Sequence, residues 1–579
     1  MSEMQRRAKR QPRRYGLVLL AALVPVIAAG VIVSSALGHA GWFFGSGHHG
    51  SADSFSGGDQ PPVAVADNYA TADTGTLAVD SRHGPLANDK GGPVQLVSNT
   101  QPAHGSLTLN PDGSFNYVPQ AGFTGADTFT YTVANAVHLF TTHIPSLGQF
   151  GGINVSGGGY GSSLYPDPGH PGLFYGLEDR GPNVTAPDGS SVEPIPTFDP
   201  SIGLFRFDAN GDAVMLRNIP LQDGHGHPYT GLVNSQNPTG ETIEDLSGNK
   251  LTTDPNGYDS EGLVALPDGS FWVSDEYGPF VTHFDSRGRQ IQRLSPFDGS
   301  LPEELKFRVP NRGMEGLTIT PDGKELVGLM QSALQQTDLN GSDAKKLAPT
   351  RIVTYNFRTH ALHEYLYMLH DPAQNATANS ELTALSDNTF LVDERDGKFP
   401  GPGAFKKLFK IDISHATDVG PDSNVAGATY NGANGGLLIG SQTIEHAVLG
   451  QNTATATATL AADHITPVTS SLDLDVNALL LSLDPQGRFF AHDKIEGVSA
   501  LDGGHEIVIS NDSDFGIAGV TGSASSPDSP PWTLVPKISP ATGKQDDGEY
   551  LSIDPDRINS TTGAAKTSTA TVTINVNGS

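Results

Sequence analysis

Four glutamates occupy one recurring position in this 579-residue sequence. Each stands at the start of a short apolar run that leads through a turn into a second apolar run, and the four are Glu261, Glu315, Glu381 and Glu496. The clearest copies of the pattern start at Ser260, Met314, Ser380 and Ile495, and a weaker copy starts at Gly161. Two short apolar runs around a turn predict a β-hairpin, so each glutamate should lie at the open end of a hairpin.

Further acidic residues follow the second apolar run of the copies. They are Glu178, Asp179, Asp275, Glu276, Asp393, Glu394 and Asp512. A hairpin returns the chain to the end at which it began, so these acids should lie on the same face as the four glutamates. The sequence therefore predicts a face that is crowded with carboxylates.

Carboxylates that converge in this way repel one another unless a cation neutralises them. Calcium takes about six to eight oxygen ligands, whereas zinc favours the histidine and cysteine that these motifs lack. We therefore expect a calcium site built from Glu178, Asp179, Glu261, Glu315, Glu381, Asp393, Glu394, Glu496 and Asp512. The alternative is structural: each glutamate caps turn amides of the next repeat and only fastens the fold.

Four basic residues stand beside these acids, namely Arg180, Arg312, Arg395 and Lys494. Arginine grips phosphate oxygens through two hydrogen bonds at once, so we expect this set to bind the substrate. Acids that hold a metal next to such cations suit metal-assisted attack on an ester, with Glu261, Glu315, Asp275 and Glu276 as the catalytic set. The alternative is that the basic side chains pair with neighbouring acids and only balance charge.

Composition indicates the elements that position these residues. Gly (68) and Pro (41) are abundant and only 17% of residues are charged, a balance typical of short strands joined by tight turns. Repeated hairpins of this kind favour an irregular β-propeller over 145–560, in which each copy is one blade. We expect about six blades, within a range of roughly five to seven.

A second, smaller unit precedes the repeats. Residues 61–134 alternate polar and apolar residues and resemble the immunoglobulin- and cadherin-like repeats of bacterial surface proteins in "NPDGSF" and "AGFTGADTFTYTV". The strand that should close this β-sandwich is missing there, but residues 566–579 alternate Ala570, Val572, Ile574 and Val576 toward one face. We expect the propeller to be inserted into the sandwich; an independent tail strand is the alternative.

The N-terminus predicts export. Arginines and a lysine precede an uncharged apolar run over residues 16–37, which indicates that 1–40 is a signal peptide or a membrane anchor. Residues 41–60 are expected to form a flexible linker. The net charge of -29 excludes nucleic acid as a partner, whereas the anchor and the sandwich favour association with the cell envelope.

The repeats also resemble a known family. The motifs "DSEGL", "SDEYGP", "NRGMEGLTITPDG", "LVDERDG" and "KIEGVSAL" occur in the order found in the phytase-like domain family known for esterase-like activity of phytase. The resemblance implies a secreted or envelope propeller that hydrolyses phosphoric or other esters. It marks the motif residues as the site without assigning a role to each.

These features favour a calcium-dependent hydrolase of phosphate esters that acts on a small molecule. Two alternatives stay open: a propeller lactonase or carboxylesterase that uses the same acids, and a non-catalytic binding protein of the cell surface. Neither a Gly-x-Ser-x-Gly elbow, a His-Glu-x-x-His helix nor a phosphate-binding loop occurs, so serine hydrolases of the α/β type, zincins and P-loop enzymes are disfavoured.

Overall fold

The computed structural model describes residues 60–238, 240–522 and 532–578. The predicted signal or anchor (1–40) and nearly all of the predicted linker (41–60) lie outside these residues. In the described part of the chain, no helix has the length and apolar character needed to cross a membrane.

Five groups of four strands form the main body, and we number them blades I to V along the chain; three are separate sheets, whereas blades I and V are joined edge to edge in one eight-stranded sheet. Blade I contains Ser163–Pro166, Leu173–Leu177, Ser201–Phe207 and Asp212–Pro220. Blade II contains Ser260–Ala265, Phe271–Asp275, Val281–Phe284 and Gln290–Leu294. Blade III contains Met314–Ile319, Glu325–Met330, Pro349–Asn356 and Leu362–Met368. Blade IV contains Ala378–Ala384, Thr389–Arg395, Lys406–Asp412 and Thr469–Asp475. Blade V contains Ile495–Leu501, Glu506–Asn511, Glu549–Ile553 and Val137–Thr142.

The five blades form a closed ring. The first strand of each blade contacts the first strands of the two neighbouring blades, and blade V contacts blade I in the same way. This arrangement confirms the predicted all-β propeller. The number of blades is at the lower end of the predicted range, one below its centre.

The ring is closed by a strand from outside the repeats. Val137–Thr142 precedes blade I in the chain, yet it is the outermost strand of blade V, where it pairs antiparallel with Glu549–Ile553. It also forms a short parallel pairing with the last strand of blade I. The beginning and the end of the propeller chain are therefore hydrogen-bonded to each other.

Apolar side chains fill each boundary between blades, because alternate residues of a strand face opposite neighbours. One buried cluster lies at each of the five boundaries. Leu263 faces blade I, for example, and the next residue, Val264, faces blade III. The packing between blades thus fixes the register of the inner strands, which hold the repeated glutamates.

The smaller unit is a β-sandwich of two sheets. The first sheet runs in the order Asp67–Ala72, Thr567–Asn577, Gly125–Ala134 and Gln95–Asn99, and the second in the order Leu77–Val79, Phe115–Pro119 and Gly105–Leu109. The strand Thr567–Asn577 pairs antiparallel with Gly125–Ala134 and parallel with Asp67–Ala72. The chain therefore leaves the sandwich after Gly125–Ala134, builds the propeller, and returns to complete the same sheet.

Two additions lie between the propeller strands. Residues 413–468 separate the last two strands of blade IV and pack against the outer part of blade III through their own apolar cluster. Their elements are Ala428–Asn431, Gly436–Ile439, Gln442–Thr443 and the helices Ile444–Ala447 and Thr453–Ala462. The second addition is a sheet whose strands Val184–Thr185 and Ser191–Glu193 lie between the second and third strands of blade I, and whose strand Ile243–Asp245 follows blade I.

The remaining elements are short. The paired strands are Gly148–Phe150 with Ile153–Val155, and Ile517–Thr521 with Thr533–Pro536. The α-helices are Pro372–Asn375 and Val476–Leu483. The 3-10 turns are Pro85–Asn88, Glu303–Phe307, Thr337–Leu339, Ala344–Lys346, Gly432–Asn434, Asp514–Gly516 and Pro555–Arg557.

Candidate functional site

Three of the repeated glutamates meet at the propeller axis. Glu261, Glu315 and Glu496 lie at the start of the first strands of blades II, III and V, and each offers a carboxylate oxygen within 4.8 Å of the others. All three side chains are buried. The ring of inner strands thus converts a recurring sequence position into one cluster.

Glu381 does not join this cluster. Its neighbour Leu382 pairs with Val392 as Leu317 pairs with Gly328, so Glu381 stands in the register of Gly316, one residue beyond Glu315. Successive side chains of a strand point in opposite directions, so this offset redirects the carboxylate. The residue of blade IV in register with Glu315 is Ser380.

The Glu381 carboxylate instead lies between blades. It accepts hydrogen bonds from Ser163 Oγ at 2.5 Å, from the backbone N–H of Leu317 at 3.1 Å, and from the N–H of Leu382 at 2.9 Å. These donors belong to blades I, III and IV. Glu381 therefore fastens three inner strands, which is the structural role that the alternative assigned to all four glutamates.

A second carboxylate triad overlaps the first. Asp259, Glu261 and Glu276 offer oxygens within 4.8 Å of one another, and all three are buried. Glu276 follows the second strand of blade II, as the hairpin predicts. Asp259 was missed by the sequence reasoning, although it lies two residues before Glu261 in the "DSEGL" motif and so on the same side of the extended chain.

Three of the acids predicted as metal ligands or catalytic groups accept hydrogen bonds away from the triads. Asp275 accepts hydrogen bonds from the backbone N–H groups of Asp259, Tyr277 and Gly278. Glu394 accepts them from Tyr367, His370 and Thr377, and Glu178 accepts one from Ser201 Oγ at 2.5 Å. Each precedes by one residue the position that faces the axis, so strand alternation turns it away.

Asp179, Asp393 and Asp512, which were also predicted as metal ligands, belong to neither triad. Asp179 accepts a hydrogen bond from the Gly181 N–H at 2.7 Å, and Asp512 accepts one from Lys494 at 2.7 Å. Asp393 is buried in blade IV with no hydrogen-bond partner for either carboxylate oxygen among the described residues. Burial raises the pKa of Asp393 to about 8, against the charges of Arg395 and Lys406.

Three of the four basic residues pair with acids. Arg395 donates to Glu496, and Lys494 donates to Asp512 at 2.7 Å and to Asp514 at 2.6 Å. Arg180 lies 3.6 Å from Asp259, lies 3.8 Å from Glu193 and stacks on the ring of Tyr277. Charge balance therefore accounts for much of what these three residues do.

Arg312 differs from the other three. It has no carboxylate within ion-pair distance in the part of the chain that the structure describes, although it is partly buried. Burial lowers the pKa of its guanidinium, while the charges of Glu276 and Glu315 oppose that shift. Arg312 therefore keeps donors free beside the triads.

The triads are electrostatically costly without a cation. Burial raises the pKa values of Glu315 and Glu496 to about 8, and burial together with neighbouring carboxylates raises those of Glu261 and Glu276 well above 4.5. Two buried oxygens, Glu276 Oε1 and Glu315 Oε2, have no hydrogen-bond partner among the described residues. Buried carboxylates are normally paired or bound to a metal, so the cluster has the character of a cation site.

The donor set fits calcium. The triads contain only carboxylate oxygens, which are the ligands of hard cations. Calcium lies about 2.3–2.6 Å from each ligand oxygen, so two oxygens on one ion are at most about 5 Å apart. The spacing within each triad satisfies this limit.

Comparison with known proteins identifies the propeller. Residues 157–515 match the family model described as "Phytase-like: Esterase-like activity of phytase". The chain belongs to this phytase-like family. Both triads lie within the phytase-like segment. Residues 59–143 match the model of a bacterial Ig domain, so both predicted resemblances are confirmed.

The relatives of this phytase-like chain are distant. An "Uncharacterized secreted protein" of Arthroderma benhamiae is 28% identical over 305 residues, which are 41% of this chain. The chain spans 59% of the length of that curated relative.

Two solved structures show weak likeness to the chain. Virginiamycin B lyase from Staphylococcus aureus is 13% identical, with 66% of this chain and 99% of that chain covered and a TM-score of 0.22. YCF48 from Cyanidioschyzon merolae is 8% identical, with 73% and 100% covered and a TM-score of 0.25. Likenesses this weak say nothing about the reaction of the phytase-like chain.

Proposed function

We propose that this phytase-like protein is an exported, calcium-dependent hydrolase of phosphate esters. One observation carries the proposal: buried carboxylates of blades II, III and V converge at the axis with the spacing of a calcium site. Arg312 lies beside them with free donors. A cation site next to an unpaired guanidinium suits an anionic ester better than a neutral one.

Carboxylates of the triads would hold the cation, and calcium would supply positive charge that offsets the charge on the reacting phosphate. The Arg312 guanidinium would hold phosphate oxygens through its free N–H groups. Glu276 would bind the cation through one carboxylate oxygen and would accept the proton of the attacking water on the other. The water oxygen then bonds to phosphorus, the ester P–O bond breaks, and solvent protonates the leaving oxygen.

Asp275 has no part in this scheme. Its carboxylate is occupied by three backbone N–H groups, so its expected catalytic role becomes one of shaping the turn that holds Asp259 and Glu276. Arg395 likewise serves first to hold Glu496, and Arg180 to hold Asp259. Substrate binding by Arg180, Arg395 and Lys494 would require these side chains to share donors with the acids they already contact.

Export and an extracellular location are supported by the charged and then apolar N-terminal pattern and by the secreted relative. The bacterial Ig-type sandwich favours a place at the cell envelope. Hydrolysis of lactones or carboxyl esters is the second candidate, because the family description names esterase-like activity. A non-catalytic surface protein would bind the cation and turn over neither class of ester.

The experiment is a substrate panel with the purified full chain. Phosphate monoesters, phosphate diesters, phytate, lactones and carboxyl esters are each incubated with calcium and with excess chelator. We expect phosphate release that the chelator abolishes and calcium restores. Turnover of lactones or carboxyl esters alone would favour the second candidate, and no turnover of any substrate would contradict an enzymatic role.

A further inference from the structure

The two carboxylate triads at the axis share a single residue. Glu261 belongs both to the group with Asp259 and Glu276 and to the group with Glu315 and Glu496. The first group comes from blade II alone, and the second spans blades II, III and V. A glutamate between two groups has two oxygens and can therefore ligate two ions at once.

The spacing argues against one shared ion. In the part of the chain that the structure describes, the acids within ligand distance of one another form two overlapping groups of three and not one group of five; Glu276 of the first group also contacts Glu315 of the second. Oxygens bound to one calcium ion lie at most about 5 Å apart. The two groups therefore offer two positions for a cation, and both positions use Glu261.

Each group also keeps a buried oxygen without a partner. Glu276 Oε1 is unpaired in the first group and Glu315 Oε2 is unpaired in the second, and these side chains are only 2% and 3% exposed. A buried carboxylate oxygen without a donor loses its hydration and gains nothing in return. Each group therefore keeps one buried oxygen that a cation could satisfy.

The net charge of the triads and their neighbouring arginines also favours two bound cations. Five carboxylates stand beside three arginines, which are Arg180 next to Asp259, Arg395 on Glu496 and Arg312 near Glu276 and Glu315, so two negative charges are left. A single divalent cation would only neutralise the cluster and would give an anionic phosphate no net attraction. A second cation makes the site positive, which favours an anionic substrate.

We propose that the propeller axis binds two divalent cations bridged by the carboxylate of Glu261. Two ions bridged by a carboxylate lie about 3.5–4 Å apart, a separation that lets one phosphate contact both. Arg312 would add a third positive group beside them. The proposal rests on the cation site of the proposed function, but it does not depend on hydrolysis.

The test counts ions on the chelator-stripped full chain. Calcium binding is measured by calorimetric titration, and bound calcium is counted by elemental analysis after gel filtration. We expect two ions per chain in the native protein and in the exposed-site control Glu303→Gln. Asp259→Asn and Glu496→Gln should each retain one ion, and Glu261→Gln should bind both ions at least tenfold more weakly.

One ion per chain in the native protein, or none, would overturn the proposal. Loss of both ions in Asp259→Asn and in Glu496→Gln, with native melting profiles, would also overturn it. If a variant does not fold, the count on the native protein alone still decides. Two bound ions without ester turnover would support this proposal and contradict the proposed reaction, whereas turnover with one ion would do the opposite.

Discussion

Arg395 at the end of a blade IV strand donates a hydrogen bond to the carboxylate of Glu496 at the start of blade V. Its Nε also donates to Ser380 Oγ at 2.9 Å. Ser380 occupies the position in blade IV that a glutamate occupies in blades II, III and V. Blade IV therefore contributes a cation to the axial ring where its neighbours contribute carboxylates.

We predict that Arg395→Gln destabilises the calcium-free protein by about 3–5 kcal/mol, because it leaves Glu496 buried without its counter-charge. Added calcium should recover part of the loss. The matched control is Arg206→Gln, which removes the exposed pair with Asp208 and should cost at most about 1 kcal/mol. Denaturant unfolding measures both; equal losses would show that the axial ion pair has no special role.

Arg312→Gln should affect the substrate and spare the fold. Within the described residues Arg312 has no ion-pair partner, so the melting temperature should stay near the native value. Loss of a charged hydrogen bond to phosphate costs about 1.5–3 kcal/mol, so we expect KM for a phosphate ester to rise roughly tenfold or more. The exposed Arg358→Gln variant is the control. A native KM in Arg312→Gln would remove Arg312 from the substrate site.

His492 should make stability depend on pH. Burial lowers the pKa of His492, but Asp546, at 2.5 Å, and Glu549, at 3.0 Å, outweigh burial and raise the pKa from 6.5 to about 9. The raised pKa stabilises the folded state fully below pH 6.5, and this contribution is lost as pH rises through 9. The loss amounts to roughly 3 kcal/mol.

The measurement compares the free energy of unfolding from pH 6 to 9.5 in the native protein, in His492→Gln and in the exposed control His415→Gln. The difference between the native protein and His492→Gln should shrink as pH rises, because only the native protein loses the charged histidine. A difference that is constant with pH would show that His492 does not titrate in this range.

The returning strand should support the sandwich. Ile574 is fully buried in the sandwich core, next to Tyr131 and Val572, whereas the adjacent Asn575 is exposed. Ile574→Ala should therefore destabilise the sandwich by about 2–4 kcal/mol, and Asn575→Ala should have little effect. Unfolding monitored by intrinsic fluorescence gives both values. Similar stability of the two variants would contradict a core role for this strand.

Much of the fold could be predicted because its period is local. The pattern within about 20 residues of each copy predicts the two strands and the turn of one hairpin. A ring of such hairpins forms the propeller. The outer strands could not be predicted in the same way. Val137–Thr142 joins blade V from the far end of the chain, and Thr469–Asp475 joins blade IV after the insertion 413–468. Such distant pairings leave no local pattern, and blades are hard to count without them.

The convergence of the repeated glutamates could be predicted from the hairpin pattern, whereas a shift of one residue places Glu381 outside the cluster. Glu381 follows serine as Glu261 does, but "SELT" lacks the glycine that follows glutamate in "SEGL" and "MEGL". That glycine is required because a side chain at Gly262 or Gly316 would collide with the inner strand of the next blade. Its absence in blade IV was the available sign that the register differs there.

The most direct test of the account is the rate of phosphate release from the best ester substrate as free calcium is titrated into the chelator-stripped full chain. Native protein should show no release without calcium and a saturable rise with it. Glu315→Gln should keep the native melting temperature. At the calcium concentration that saturates the native protein, its rate should be at least tenfold lower. Calcium-independent release, or native activity in a folded Glu315→Gln variant, would contradict a metal-dependent hydrolytic centre at the propeller axis.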